Sequence, residues 1–303
     1  MAEGKWITGL TPEMPADEAA RVVLAVRLSA VRHHLPLAAE HAAEDVENVH
    51  QLRVATRRAG AAVWIFRDLM VRKVLRDYKR TLRAVRRAAG AARDWDVFLA
   101  RLDPSGGAAA EFLAGYALRE RVFAQETLAE VATEQSAAIH EGCAAVPAAI
   151  RSPAGRTLGE CAAGTLGELY TRLTAEVEAG PKAAAELHQL RITAKRFRYA
   201  IEVFAGCCAA QLREVIYPAV EEAQEILGSV QDAAVASSRL EQIHSELNFL
   251  PDAATARLQP GVAALIDDLK ARVAKGEQDF RSWADRWRRL TIEHPLTGEM
   301  TIR

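Results

Sequence analysis

The chain has 303 residues, with 39 Lys and Arg against 40 Asp and Glu, a formal net charge of −1. That length supports one large or two smaller domains with a substantial core, and the neutral balance excludes a uniformly basic or acidic protein. Half of the residues are hydrophobic but only 6% are aromatic, a composition suited to close-packed helices.

The first residues carry neither an apolar signal core nor a basic transit pattern, and no apolar run is long enough to span a bilayer. The expected compartment is the cytoplasm, and no membrane association is expected. Cys143, Cys161, Cys207 and Cys208 lack a C-x-x-C spacing and read as reduced core thiols.

Pro15-Ala16-Asp17 opens a first long helix that runs to about Ala43. Arg27, Arg32, His33 and His34 lie along it. A basic pocket and plain surface solubility account equally well for them.

The next segment, 49–66, reads VHQLRVATRRAGAAVWIF and returns at 187–204 as LHQLRITAKRFRYAIEVF. The shift is 138 residues, and it persists downstream: Gly90, Asp94, Val97 and Arg101 recur as Gly228, Asp232, Val235 and Arg239. An unbroken shift of this kind marks a duplicated helical unit. Leu52, Ala55, Ala59, Val63 and Phe66 form the apolar face of this helix. His50, Arg53 and Arg57 stack on another face, with Arg58 beside them. The second copy repeats the row as His188, Arg191 and Lys195, with Arg196 alongside and Arg198 extending it. Stacked like charges destabilise a helix. A solvated face is the common explanation for a charge run, but two rows with the same leading histidine favour a site for a multiply charged anion.

Arg67-Asp68 breaks the motif helix, and a third helix is expected to about Ala89. Val71, Leu75, Tyr78, Leu82, Val85 and Ala89 form its apolar stripe. One step round lie Arg72, Arg76, Lys79, Arg83 and Arg86, a basic ridge about 20 Å long at ~1.5 Å per residue. Residues 50–101 hold fourteen Lys and Arg against four Asp and Glu, whereas 188–239 hold six of each. The two copies are therefore not expected to bind anions equally. A ligand that neutralises the ridge should stabilise the fold.

Gly90-Ala91-Ala92 predicts the end of the third helix, and Arg93-Asp94 the start of a short fourth one. Asp94 fits a capping role better than pairing with a motif arginine, because Asp232 repeats it where the surrounding charge differs. Residues 103–107 read as a loop. Helical pattern resumes over 108–149, and Pro147 with Ser152-Pro153 marks the boundary between the halves. The second half reads as helices over 156–179 and 187–204, then helices ending near Gly228 and Leu247. A Pro-containing connection follows over 248–261, then a last helix over 262–290. Trp283 and Trp287, four apart on it, are expected to pack on the bundle rather than to stack bases. These boundaries give a first repeat over 16–150, a second over 151–290 and a tail over 291–303, all within one domain of 1–303.

The twice-present H-x-x-R-x-x-x-[RK]-R helix, with the G-x-x-x-D that follows each copy, resembles the CHAD domain, the conserved histidine α-helical domain. The resemblance spans nearly the whole chain. It implies an all-α fold of two pseudo-symmetric helical bundles that binds inorganic polyphosphate on basic surfaces, with the proteins of polyphosphate metabolism as partners and polyphosphate granules as a second location. Arginine suits phosphate because its planar fork donates two hydrogen bonds. Dense arginine rows also bind nucleic acid, so an adaptor for nucleic acid or another acidic partner is the alternative. Aromatic residues interleaved with the ridge would favour nucleic acid, and apart from Tyr78 they are absent.

Phosphate contact ranks first for His50 and His188, structural hydrogen bonding second and metal ligation third, since neighbouring arginines oppose a cation. No Walker loop, H-E-x-x-H or G-x-S-x-G is present. Nor is the E-x-E-x-K of the triphosphate-cleaving domains that often accompany CHAD domains. Phosphoryl transfer needs carboxylates to hold Mg²⁺, and the ridge offers none in register. A non-catalytic binding module without cofactor or metal is the expectation. A metabolising or metal-chelating protein ranks third.

Overall fold

A computed structural model describes residues 5–102, 107–151, 155–181, 183–248 and 253–296. Its described residues form no named β-strand and eight long α-helices: α1 (Ala16–Glu40), α2 (Val46–Ile65), α3 (Arg72–Arg101), α4 (Gly107–Ala148), α5 (Leu158–Glu178), α6 (Ala184–Phe204), α7 (Tyr217–Asn248) and α8 (Ala253–Glu293). Short 3-10 turns follow both motif helices, at Arg67–Leu69 and Ala205–Cys207, which is the same 138-residue shift. A π-helical turn at Leu212–Ile216 leads into α7.

Helices α1 to α4 pack on one another as one bundle, α1 against α2 and α4, and α3 against both. Helices α5 to α8 make the second bundle, and α2–α6, α4–α8 and α1–α5 contacts join the two. The apolar stripe of each motif helix supplies the joint. Phe66 and Phe204, equivalent in the two copies, meet edge to face with ring centroids 6.3 Å apart. Helix starts are chemically marked: the Asp45 side chain accepts from the Glu47 amide at 2.8 Å. At α5, Thr157 and Glu160 cap each other reciprocally, a device worth about 1 kcal/mol per cap. Trp283 and Trp287 are buried and stacked 5.4 Å apart. Their indole N–H groups donate to the Ala219 carbonyl at 2.8 Å and to Thr174 Oγ1 at 3.3 Å. They act as packing residues.

Two expected breaks are absent. Helix α3 passes through Gly90 without interruption, so the short fourth helix does not exist, and α7 passes through Gly228 in the same way. A glycine stop requires a left-handed backbone, and Gly90 and Gly228 are not among the positive-φ glycines. Buried Trp95 and Phe98 on the next turns carry the helical stripe onward. The last helix likewise starts at Ala253 rather than 262, with Pro260 inside it. Gly261 explains why the helix is kept there: a Cβ would lie 2.5 Å from Ala109 Cβ, so the absence of a side chain lets α8 sit against α4. Smaller differences are a first helix that ends at Glu40 and a last one that extends to Glu293. Residues 103–106, the 152–153 boundary and 297–303 of the tail lie outside the described residues.

Candidate anion-binding groove

Where the two motif helices cross, α2, α3 and α6 enclose an open groove of ≈ 730 Å³. Its cations are Arg53 and Arg57 from α2, Arg86 and Arg87 from α3, and Lys195 and Arg196 from α6. Among the described residues, Asp94 is the only carboxylate that lines it. The width comes from small residues, above all Gly60 and Gly90, where a Cβ would meet nothing within 4 Å. Gly90, which does not stop the helix, instead leaves the groove floor open.

The cations crowd one another. Lys195 is pushed down to about 7 by burial, then by Arg191, Arg57 and Arg53. Burial also lowers Arg57, with Arg53 adding to it, and lowers Arg86, with Arg57 and Arg83 adding to it. Each shift records a positive charge held out of water first of all, with other positive charges close by adding to it. Such a site gains by taking up an anion with several charges.

The aromatic residues of the groove are already engaged. The Trp64 ring lies under the Arg196 guanidinium at 5.3 Å and the Arg67 guanidinium at 4.8 Å. Tyr199 is buried, with Arg198 over its ring at 5.1 Å. These rings brace arginines.

A second, smaller space of ≈ 130 Å³ opens beside the groove, between α3 and α7. Its lining pairs residues related by the 138-residue shift: Arg53 with Arg191, Asp94 with Asp232, Val97 with Val235, and Arg101 with Arg239. Arg53 Nη1 donates to Asp94 Oδ1 at 3.2 Å, and Arg101 faces Asp232 at 3.6 Å. Arg239 lies 3.8 Å over the Trp95 ring.

The structure sorts the expected site residues. Arg53, Arg57, Arg86, Lys195 and Arg196 line the groove, and Arg191 the adjoining space. Lys79 and Arg83 continue the ridge away from it, and Arg72 and Arg76 lie exposed further along α3. His50 is half-buried outside the groove lining, and burial lowers its pKa despite Glu47. His188 is exposed and lines a separate recess with Arg191. Arg58 and Arg198 are turned to structural work. Arg58 Nε donates to Glu202 Oε2 at 2.8 Å, and Arg198 Nη1 to Glu221 Oε1 at 3.3 Å. Glu202 is buried and also accepts from the Tyr217 hydroxyl at 3.0 Å, with Arg27 3.9 Å away. Asp94 reverses its expected role: it sits mid-helix and pairs with motif Arg53 instead of capping. Arg87, Gly60 and Gly90 were not expected in the lining. Arg87 follows Arg83 by four residues, a spacing that carried the signal. Among the described residues, no three His, Cys, Asp or Glu side chains gather closely enough to hold a metal ion. No described helix is long and apolar enough to cross a membrane.

The fold and groove together define an all-helical protein with a cation-lined cleft at the junction of two bundles. The family model described as "CHAD domain" matches residues 22–241, well over half of the chain. The chain belongs to the CHAD-domain family. Two solved structures share the fold. The crystal structure of the CHAD domain from the plant Ricinus communis is 22% identical, with a TM-score of 0.74 over 91% of this chain and 93% of that one. PptA from Streptomyces chartreusis is 18% identical, with a TM-score of 0.71 over 89% of this chain and 99% of that one. No curated protein matches the chain.

Proposed function

We propose that the chain is a non-catalytic module that binds inorganic polyphosphate in the α2–α3–α6 groove. The single observation that carries this reading is the lining of six cations and one carboxylate around an open groove of ≈ 730 Å³. Arg53, Arg57, Arg86, Arg87, Lys195 and Arg196 supply the donors, and Arg83 and Lys79 extend the track along α3. Guanidinium forks bind phosphate oxygens in pairs, and a chain with a charge on every unit engages several forks at once. Membership of the CHAD family supports the same ligand class. Against nucleic acid stands the engagement of Trp64 and Tyr199, the aromatic residues of the groove, with arginines. Against phosphoryl transfer stands the carboxylate content: Asp94 alone is too little to hold the metal ions such chemistry uses. The cytoplasm is the compartment we assign.

The test is a salt series of binding to long-chain polyphosphate and to single- and double-stranded nucleic acid of matched charge. It is run on the wild type, on Arg86→Glu/Arg87→Glu, and on Arg119→Glu/Lys275→Glu, an equal charge change at exposed positions off the groove. Two reversed phosphate contacts should weaken polyphosphate binding by at least roughly a hundredfold, while the control stays near wild type. Equal losses in both variants, or equal affinity for nucleic acid, would overturn the reading. So would release of phosphate from polyphosphate with Mg²⁺ that the groove variant abolishes.

A further inference from the structure

Arg53 and Asp94 line both the groove and the smaller space beyond it. Their ion pair at 3.2 Å is therefore the partition between the two. Past it, Arg101, Arg191 and Arg239 supply three more cations, and Asp232 is the second carboxylate, held by Arg101 at 3.6 Å. A carboxylate facing a guanidinium occupies the place a phosphate oxygen would take.

We propose that Asp94 is a gate: it holds Arg53 across the neck, and a long phosphate chain displaces it to run from the groove into the space between α3 and α7. This deepens the polyphosphate reading and rests on it. The partition is built to open. The Asp94 side chain is 46% exposed and that of Arg53 22%, and a pair so exposed weighs no more than about fivefold in an equilibrium. Once released, the Asp94 carboxylate remains in solvent and Arg53 turns to the ligand. A short chain fits the ≈ 730 Å³ groove and leaves the gate shut. A long chain opens it and gains Arg101, Arg191 and Arg239. The cavity side is ready for this: burial lowers Arg191 and nearby Arg57 adds to it, while Asp232, Asp94 and Tyr199 offset part of the shift.

The experiment compares tripolyphosphate with long-chain polyphosphate by calorimetry at fixed salt, on wild type and Asp94→Asn. Asp279→Asn, at an exposed position of α8 away from both spaces, supplies the same change in net charge. Removing the gate charge should tighten long-chain binding by roughly tenfold, from the lost pair and the lost repulsion together. Tripolyphosphate, which loses the same repulsion in the groove but reaches nothing beyond it, should gain clearly less, by about threefold, and Asp279→Asn should alter neither ligand by as much. Adding Val235→Trp, a half-exposed position on the cavity wall, should cancel the long-chain gain. Thermal unfolding checks that each variant folds, and Asp94→Ser replaces the Asn variant if it does not. Equal gains for both ligands, an equal gain in Asp279→Asn, or weaker long-chain binding would overturn the gate. If wild type binds neither ligand, the polyphosphate reading fails. The gate falls with it, whereas wild-type binding of both ligands with no long-chain gain in Asp94→Asn would sink the gate alone.

Discussion

Replacing Lys195 with methionine should stabilise the ligand-free protein and weaken it as a binder. The ammonium sits half-buried beside Arg191, Arg57 and Arg53, and its pKa falls from 10.5 to about 7. At about 1.4 kcal/mol per pKa unit, the displacement has a ceiling near ~5 kcal/mol. Relaxation and water penetration bring the realistic figure to roughly 2 kcal/mol. The sign follows from the lowered value. The unfolded chain holds the proton up to pH 10.5 and the folded chain releases it near pH 7. Below about pH 7 the whole penalty is present; it fades as pH rises, and it is gone above 10.5. Wild-type stability should therefore climb between pH 7 and 10 relative to Lys195→Met, which has no ionisable group there. Urea unfolding of both proteins at pH 6.5, 7.5 and 9 measures this. Methionine keeps the length and apolar character of the stem, so packing should change little. A bound polyanion reverses the penalty and returns the proton to Lys195, so polyphosphate binding near pH 8 should take up protons. Titrations in two buffers of different ionisation enthalpy read that uptake directly. A Lys195→Met protein that is less stable at pH 6.5, or binding without proton uptake in wild type, would refute the reasoning.

Glu202→Gln should cost about 3 kcal/mol, because Arg27 and Arg58 would lose the buried carboxylate they share. A change in thermal unfolding equivalent to less than about 1 kcal/mol would mean that the cluster is not a structural tie. Gly90→Leu should keep or raise the unfolding temperature, since glycine within a helix costs about 1 kcal/mol and no atom lies in the way of a Cβ. The same change should weaken polyphosphate binding by roughly tenfold, as the side chain enters the groove and takes the place of about one charge-assisted hydrogen bond. A protein that unfolds, or one that binds as before, would show that Gly90 does not floor the site.

Much of the fold was legible because its signals are local. The 138-residue shift, the apolar stripes and the loop residues placed most helices within a few residues of their true ends. The failures share one cause. Gly90, Gly228 and Pro260 are punctuation by local propensity, and tertiary packing overrides it: Trp95 and Phe98 beyond Gly90, and the Gly261–Ala109 approach beyond Pro260. The site was half legible. A row on one helix says which cations share a face, and so Arg53, Arg57, Arg86 and Lys195 were found. It does not say which acids another helix brings to them. Arg58 and Arg198 sit in equally basic sequence, yet each meets a carboxylate across a helix–helix contact. Asp94 reaches Arg53 from forty-one residues away, a pairing that no periodicity encodes.

The same long-range chemistry explains why a doubled sequence gives one broad groove. Position by position at the 138-residue shift, Gly60 corresponds to Arg198, Trp64 to Glu202, Lys79 to Tyr217, Arg83 to Glu221 and Arg87 to Glu225. In the first copy, the glycine opens space and the α3 positions supply cations. In the second, Arg198 fills the equivalent space and is bound by Glu221, while Tyr217 donates to Glu202. Glu221, which stands where the ridge has Arg83, is thus engaged with the second copy's own Arg198. Glu202 reaches back further, to Arg58 of the first copy, and ties the bundles together. Arg196, the counterpart of Arg58, meets Trp64 in place of a carboxylate and keeps its charge at the groove. One substitution pattern therefore accounts for both outcomes: an acid of the second copy, Glu202, braces the joint, and the lack of such acids in the first leaves the groove's positive charge uncompensated.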